Sequence, residues 1–568
     1  MFEELVRQGE ECVKKGDVVT LEQIIRTLSK VPSSNEYLYL SAYLQFLKGR
    51  LSKALELCEK IEPSLRKGQN QELICKALLL KATILRREGE YTSSNRALDR
   101  CFKVIQGDTF MLGDIWNSKG VNFWMLGKFE KAKQCYRKAR YLSQSSKEMS
   151  VFLKTSINLG IVPLHQGHFF EADVYLRNAL ELCEKEQEKR LRIYALLNLG
   201  ELCWKRGDWE LGKELLAGCK ESAVEFSLTY EEGVSYWILA NILRDGHNFE
   251  EAYRVYNRAL ELLEKSMSYT EKLYVYLNMG VLERLRGNYQ TALDLLNRAQ
   301  TIMEQTGEKL DEGILLIETG MVLWFLRERR SSLKYLNRGI AKTKNRKYER
   351  TIGELFRFYI RKQGGSEDAK LFDELLRRCW KYGYDTILLR ERQIFLPLLC
   401  EYLLMRKRST LPKMILFRLV TNHEELINFL LEHRSVRCQE VALSAIEKLG
   451  LGHLKSKVQN KIWALRPRIA HKAVAVLETL EQKPLPSLAV KLFGKFEITR
   501  DDDTLLSLSR KKMKDLLKIL ILYYRKPILR EQLMEMLWPG EAPEKSFNSL
   551  RQLIFLLRRA FDEFGFNG

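Results

Sequence analysis

Three asparagines recur at regular intervals in the first half of the chain. Asn158 and Asn198 are 40 positions apart, and Asn278 follows Asn198 after 80 positions. A side-chain amide offers both an acceptor and donors, so one such residue can hydrogen-bond a peptide backbone or a sugar hydroxyl. The same amide can instead bond to a neighbouring helix and serve packing alone. The sequence leaves both roles open, and it predicts that the three side chains occupy equivalent positions in a repeated element.

The residues that usually carry catalysis or hold metals are scattered. The chain has eleven cysteines without a CxxC pair, and seven histidines, of which His165 and His168 are the closest pair. This spacing does not predict a metal site, and we expect the cysteines to be small buried hydrophobes in a reducing cytosol. The motifs HExxH, GxSxG, GxGxxG and DxDxDG do not occur in the sequence. We therefore expect neither an enzyme nor a bound cofactor or metal.

The elements that must position these side chains follow an internal repeat with a period of about 40 positions. A first series places a small residue in mid-helix, where it lets a neighbouring helix approach closely. A second series places a glycine at the following turn, where a left-handed backbone is tolerated, and an aromatic two positions later. One pair of helices cannot bury its apolar face alone, so the units are expected to stack. The positions are Gly120, Gly160, Gly200, Ala240, Gly280 and Gly320 in the first series, and Gly127, Gly167, Gly207 and Gly287, with Phe129, Phe169, Trp209, Phe249 and Tyr289, in the second.

This pattern resembles the tetratricopeptide (TPR) repeat in a long-period form, as in LNLGELCWKRGDWELGKELLAGC at 197–219 and LNMGVLERLRGNYQTALDLLNRA at 277–299. The resemblance implies a mostly α fold, with a right-handed solenoid of paired helices over residues 1–345. In TPR proteins the first helix of each pair lines the inner face, so the three asparagines are expected there. The phase fades at Arg327 and Arg329, which replace the turn glycine and the aromatic, and this indicates the approach to an end of the array.

Length and charge are consistent with a multidomain cytoplasmic protein. A chain of 568 residues is too long for one core. Its formal charge of +21 favours an anionic partner. The N-terminus lacks the apolar run of a signal peptide, and no apolar stretch is long enough to cross a membrane. We expect no membrane partner.

Residues 346–483 are predicted to form a helical, HEAT-like spacer. The segment 435–450 is echoed at 467–480, with Ala442 matching Ala473, and this pair resembles HEAT repeats. The stretch 321–365, which spans the boundary of the spacer, is rich in arginine and lysine. It is either a solvated face with a basic linker or a patch for nucleic acid or an acidic partner.

A third region spans residues 487–568. The segment 488–499 has β character, and three helical segments follow at 510–527, 529–540 and 543–564. LFGKFEI, RKKMKDLLKILILYYRKPILREQLMEMLWPG and SFNSLRQLIFLLRRAF resemble the OmpR/PhoB-type winged helix of SARP-family bacterial transcriptional activators. The resemblance implies a small α/β domain whose third helix enters the major groove of DNA. The family's final hairpin, the wing, has no counterpart after Phe564, so we expect a domain that lacks it.

The third helix is predicted to have an apolar stripe and a polar face. Asn548 and Gln552 lie one turn apart, where their amides could read base edges. Each polar or basic residue on this face is either a DNA contact or an exposed side chain without a ligand. The candidate DNA contacts implied by the resemblance are Asn548, Arg551, Gln552, Arg558 and Arg559, with phosphate contacts from Arg510, Lys511, Lys512 and Lys514.

A TPR solenoid joined to a C-terminal winged helix resembles the MalT-like and SARP-family signal-transduction regulators. The GxxxxGK[ST] motif of their usual N-terminal ATPase module does not occur in this sequence. The resemblance implies a bacterial transcription regulator, expected to be an activator, whose solenoid senses a small molecule, peptide or protein partner. DNA, RNA polymerase and a second copy of the chain are the further partners it implies. The alternative is a TPR interaction scaffold whose degenerate winged helix docks protein.

Overall fold

The computed structural model describes residues 2–563 apart from positions 16–17, 30–33, 62–70, 106–110, 147–148, 227, 267–268, 366–368, 406–410, 423–425, 463–464, 466, 482–487, 492–496, 501–507, 509, 524–527, 529, 539–540 and 542. It divides into two compact units, Met1–Glu391 and Arg392–Gly568. None of the described helices combines the length and the apolarity needed to cross a bilayer.

The first unit is a series of helix pairs in which each helix packs against the next along the chain. The pairs are α1 (Phe2–Lys15) and α2 (Val18–Leu28), α3 (Asn35–Leu47) and α4 (Leu51–Ile61), α5 (Gln71–Arg87) and α6 (Tyr91–Val104), α7 (Leu112–Met125) and α8 (Phe129–Ser145), α9 (Met149–Gln166) and α10 (Phe169–Lys185), α11 (Lys189–Arg206) and α12 (Trp209–Glu225), α13 (Thr229–Asp245) and α14 (Phe249–Lys265), α15 (Tyr269–Arg286) and α16 (Tyr289–Thr306), and α17 (Glu312–Phe325) and α18 (Arg329–Lys342).

The small residues of the repeat set the spacing within each pair. A methyl group at Gly120 would lie 2.4 Å from the ring of Tyr136, and one at Gly200 would lie 2.8 Å from Leu216. Both neighbours belong to the second helix of the same pair. A side chain at these positions would therefore push the two helices apart, as the repeat predicted.

The turn between the two helices of a pair has a left-handed residue whether or not that residue is glycine. Gly207 has a φ of +85°, and His247 and Arg327 have φ values of +66° and +69° at the equivalent positions. A left-handed backbone is strained for a residue with a Cβ, by about 1–2 kcal/mol. The helix pair therefore keeps its turn at Arg327 although the turn glycine is missing there. The repeat pattern weakens in the sequence at this point, but the paired-helix structure continues.

Three further helices complete the first unit: α19 (Lys347–Gln363), α20 (Ala369–Tyr382) and α21 (Asp385–Arg390). The unit thus extends past residue 345, where the solenoid was predicted to end. Helix α21 packs against α11 and α13, far back along the chain. We call residues 345–391 the return segment.

The second unit begins with helices and ends with a small α/β arrangement. The helix α25, which carries the first copy of the HEAT-like repeat, packs against α27, which carries the second, and Ala442 and Ala473 are both fully buried. The helices are α22 (Arg392–Met405), α23 (Leu411–Asn422), α24 (Leu426–Glu432), α25 (Val436–Leu449), α26 (Lys455–Lys461) and α27 (Pro467–Glu481), with a 3₁₀ turn at Gly452–Leu454.

The strands β1 (Leu488–Lys491) and β2 (Glu497–Arg500) form an antiparallel pair with Leu488 opposite Arg500. The helices α28 (Lys511–Leu522), α29 (Arg530–Leu537) and α30 (Pro543–Glu563) follow and pack on one another. Ile498 of β2 shares their apolar core. Within the described residues this hairpin is the only sheet, so the α/β character is observed and a complete winged helix stays a prediction. The predicted turn between the strands and the chain after residue 563 lie outside the described residues.

Candidate functional site

The three asparagines do not form a ladder of equivalent free amides. Asn158 donates from Nδ2 to Oδ1 of Asn117 on the neighbouring first helix, over 2.8 Å. Asn278 accepts from the guanidinium of Arg244, over 2.6 Å. Asn198 donates to a carbonyl of its own helix one turn back, over 2.7 Å. Asn158 and Asn278 therefore have the helix-to-helix packing role that the sequence left open, and ligand binding by the three stays a prediction.

The return segment is hydrogen-bonded to distant repeats through buried groups. The hydroxyl of Tyr384 donates to the carbonyl of Gly167 over 2.7 Å, across 217 positions of sequence. The hydroxyl of Thr386 donates to the carbonyl of Lys205 over 2.6 Å, across 181 positions. These carbonyls lie at or near the C-terminal ends of the first helices α9 and α11, where backbone carbonyls lack intrahelical partners. The return segment therefore caps the ends of two first helices.

A buried cluster of four charges fixes the end of the return segment. Arg284 of α15 contacts Glu391 over 2.6 Å and Glu318 of α17 over 3.2 Å. Arg390 contacts Glu318 over 3.3 Å and Glu391 over 3.0 Å. Burial alone would raise the pKa of Glu391, but the two guanidinium groups outweigh it and hold that pKa at about 2. Two positive and two negative charges thus compensate one another out of water.

A second buried cluster fixes the start of the return segment. Lys205 lies 3.1 Å from both Glu201 and Glu349, and Arg346 lies 3.2 Å from Glu349. Arg346 also binds Asp311. Burial opposes ionisation of Glu349, yet Arg346 and Lys205 lower its pKa to about 2. Arg346, counted by sequence in the basic stretch 321–365, is therefore a buried structural residue.

An open cavity of about 390 Å³ lies beside the start of the return segment. It is formed by four connections between helices: α5 to α6, α7 to α8, α16 to α17, and α18 to α19. Its volume falls in the range of ordinary ligand pockets. The lining residues are Gly89, Glu90, Tyr91, Thr92, Met125, Leu126, Gly127, Phe129, Gly307, Lys309, Leu310, Lys342, Asn345 and Arg346.

The cavity exists because turns from distant repeats approach each other. A Cβ at Gly89 would lie 3.0 Å from the carbonyl oxygen of Thr306, and Gly89 has a φ of +77°. Glycine is required there both for the backbone conformation and for the close approach. Asn345 of the return segment donates to the carbonyl of Gly127 over 3.3 Å. The walls are therefore fixed by contacts between helix pairs that are far apart in sequence.

Glu308 lies in the same connection as the lining residue Lys309. It is 2% exposed, and its Oε2 has no hydrogen-bond partner among the described residues. Burial and the neighbouring charge of Asp311 raise its pKa to about 7. Its protonation state thus changes near neutral pH.

The predicted polar face of the third C-terminal helix is exposed in α30. Leu550, Leu553 and Leu557 are buried, as the apolar stripe required. Phe555 is 65% exposed and lies in the middle of the polar face. Asn548, Arg551, Gln552, Arg558 and Arg559 all lie on α30, where Arg551, Gln552, Arg558 and Phe555 point away from the apolar core.

The basic residues before and in α28 do not share one environment. Arg510, Lys511, Lys512 and Lys514 are all exposed. Lys512 in addition donates to the carbonyl of Leu537 at the end of α29. An ammonium group at a helix C-terminus satisfies a carbonyl that lacks an intrahelical partner. Lys512 thus has an internal partner, which could not be predicted from the sequence.

Three side chains of types that can bind a metal lie together in the second unit, and their spacing in the sequence did not predict this. Ligand atoms of Cys400, His433 and Cys438 lie within 4.8 Å of one another. Cys400 is distant from the other two in the sequence, and only the packing of α22 against α25 brings it there. The spacing from His433 to Cys438 alone matches no familiar metal motif.

Residues 231–305 and 113–145 match models of the tetratricopeptide repeat. The prediction of TPR repeats is confirmed. No curated protein sequence matches the chain significantly. Among solved structures, the chain is similar to a Rap protein complexed with competence and sporulation factor, at 11% identity over 61% of this chain and 99% of that chain, with a TM-score of 0.48.

Two other solved structures are similar to the chain. The apo quorum sensor NprR from B. thuringiensis matches at 14% identity over 60% of this chain and 98% of that chain, with a TM-score of 0.43. A signal-transduction ATPase (STAND) protein with a tetratricopeptide repeat sensor from Pyrococcus horikoshii matches at 16% identity over 60% of this chain and 52% of that chain, with a TM-score of 0.39.

Proposed function

We propose that the chain is a TPR interaction protein whose first unit binds a peptide segment of a partner protein in the cavity between the four connections. The cavity of about 390 Å³ is the observation that carries this proposal. It combines turn backbone with aromatic side chains and a few charged ones, and ligand pockets pair aromatic or apolar walls with a small number of polar groups in the same way.

The distribution of charge in the first unit favours the cavity, and not the ends of the first helices, as the site where a peptide binds. Around Arg284 and Lys205 the side chains are buried and already paired. At the cavity, by contrast, Glu90, Thr92 and Lys309 are exposed. A peptide can therefore contact these exposed side chains while Arg346, a lining residue that belongs to a buried cluster, keeps its partners Asp311 and Glu349. Displacing a buried ion pair would be costly.

Selection of displayed random peptides on the full chain tests this proposal. Peptides that bind the unmodified protein are measured again on Thr92→Trp, which fills the cavity, and on Lys309→Glu. We expect at least tenfold weaker binding to both variants. Thr301→Trp, an exposed position on α16, is the matched control and should bind normally. Binders that are insensitive to both cavity variants would refute the proposed site.

A second candidate function is DNA binding by the second unit, as the sequence predicted. The polar face of the longest C-terminal helix, with Arg551, Gln552 and Arg558, favours it, because arginine and amide side chains make the commonest contacts to phosphates and base edges. The exposed Phe555 can contact a thymine methyl group. With this activity the chain would be a SARP-like cytoplasmic transcription regulator, with RNA polymerase or a second copy of the chain as further partners.

A further inference from the structure

The second unit contains two buried thiols and an imidazole gathered from three places in the chain. Cys400 lies on α22, His433 in the bend after α24, and Cys438 in the first turn of α25. Both cysteines are fully buried, and His433 is half-buried. One ligand atom from each residue lies within 4.8 Å of the other two.

Two thiolates and one imidazole form a ligand set that suits zinc. Zinc binds sulfur at about 2.3 Å and imidazole nitrogen at about 2.0–2.1 Å, so ligand atoms around a tetrahedral ion are roughly 3.3–3.8 Å apart. The ligand atoms thus need to approach one another by at most about 1.0–1.5 Å, a movement that side-chain rotation supplies. Among the described residues no other group of three histidine, cysteine or acidic side chains meets this distance condition.

A buried hydroxyl lies beside one of the two thiols. Ser435 stands before the first residue of α25, is 1% exposed, and makes no cap hydrogen bond to that helix. Its hydroxyl instead lies within reach of the Cys438 thiol. A hydroxyl in this place can hydrogen-bond a metal-bound thiolate and orient it.

Another cysteine pair shows what buried thiols look like without a third ligand. Cys75 on α5 and Cys101 on α6 each lie with Sγ 3.9 Å from the other's carbonyl oxygen. Both are fully buried. This pair fits the role of small buried hydrophobes that the sequence predicted for all cysteines. It provides an internal control for the group in the second unit.

We propose that Cys400, His433 and Cys438 bind one Zn²⁺ ion, with water as the fourth ligand. The two thiols give up their protons to solvent when the ion binds. The imidazole contributes a nitrogen lone pair, and if that nitrogen is Nδ1, the hydrogen bond that it accepts from the backbone N–H of Ser435 over 3.1 Å is given up. The ion then joins α22 to the first turn of α25 and fixes the bend that carries His433. Its role is to stabilise the second unit.

The test uses the full chain, purified under reducing conditions, with Zn²⁺ as the probe. We expect one zinc per chain by elemental analysis and, after removal of the metal, release of about two protons per ion rebound. Substitution with Co²⁺ should produce an absorption band from thiolate-to-metal charge transfer. His433→Ala should weaken zinc binding about 100-fold, and Cys438→Ser at least as much, whereas Cys101→Ser should leave it unchanged.

His433 is only half-buried, so its alanine variant is expected to fold, and circular dichroism of that variant establishes whether it does. If Cys438→Ser fails to fold, the His433 variant and the cobalt spectrum still decide the matter. Failure of the reduced chain to bind zinc tighter than about 1 µM, or equal binding by the His433→Ala variant, would overturn the proposal. Neither result affects the peptide cavity of the first unit.

Discussion

Basic side chains have opposite roles in the two units. In the first unit Arg284, Arg346 and Arg390 are buried and paired with carboxylates from distant helices. In the second unit Arg551 and Arg558 are exposed along one helix. The same residue type thus fixes a fold in one place and remains available to a partner in the other. The formal charge of +21 therefore does not describe one continuous binding surface.

The buried clusters have a consequence for stability that the exposed arginines do not share. Buried ion pairs add little net stability compared with apolar residues of similar size, but removal of one partner leaves an uncompensated charge out of water. Each member of a cluster is therefore costly to remove.

The largest effect is expected for Arg284→Met, which leaves the two buried carboxylates of Glu318 and Glu391 with Arg390 as the remaining cation of the cluster. We expect the free energy of unfolding of the first unit to fall by about 3–5 kcal/mol, measured by urea denaturation with tryptophan fluorescence and circular dichroism. The control is Arg258→Met, since Arg258 makes an exposed pair with Glu261 over 3.0 Å, and it should cost less than about 1 kcal/mol. If the free energy of unfolding fell equally in the two variants, burial of the cluster would make no difference to the stability that its arginine contributes.

Acid should weaken the same clusters. The pKa values of Glu349 and Glu391 lie near 2 in the folded protein, below the usual value for glutamate of about 4.3. Their contribution is thus complete above about pH 4.5 and is lost as the pH falls towards 2, on the order of 3 kcal/mol for each carboxylate. Melting temperatures of the wild type and Glu349→Gln should converge between pH 6 and pH 3. If the difference in melting temperature between the two proteins did not change with pH, the low pKa of Glu349 would be contradicted.

Glu308 should have the opposite pH dependence. Its folded pKa of about 7 is raised, so its contribution to stability is complete below about pH 4 and is lost as the pH rises through 7. Glu308→Gln cannot ionise and should be more stable than the wild type at pH 8, by on the order of 3 kcal/mol, with a much smaller difference at pH 5. Thermal unfolding at the two pH values measures this, and a variant that is destabilised at pH 8 would show that the carboxylate has a partner.

The smallest effect on stability is expected for the exposed arginines of the second unit. Arg551→Ala with Arg558→Ala should change the free energy of unfolding by less than about 0.5 kcal/mol. Under the DNA-binding proposal the same double variant binds a DNA duplex about tenfold more weakly, and its slope of log affinity against log salt is shallower by about 2. Fluorescence anisotropy at several salt concentrations measures both, with Lys413→Ala and Lys457→Ala as the control. If the wild-type chain shows no salt-dependent DNA binding, the second candidate function is wrong.

The sequence predicted local structure well because local structure depends on close neighbours. The glycines at 120 and 200 and the turn at Gly207 were assigned correctly, since each acts within one helix pair. The apolar stripe of α30 was also predicted correctly, because apolar residues recur along this segment at the spacing of an α-helix.

Contacts between distant segments were not predictable in the same way. Arg284 and Glu391 are 107 positions apart, and nothing in either segment indicates the other. Asn278 was placed on the correct helix, but its partner Arg244 follows only from the packing of α13 beside α15. The cavity near Gly89 depends on the approach of Gly307 from another part of the array, and the group around Cys400 depends on helix packing.

Hydrogen–deuterium exchange of the full chain, with and without a peptide obtained by selection, tests the central claim most directly. We expect slower exchange of backbone amides in three of the four connections, at 88–93, 124–130 and 306–311, when the peptide binds, and unchanged exchange in α30. Protection confined to the first helices around Asn158 and Asn198, or to α30, would contradict the claim that the partner binds in the cavity between the connections.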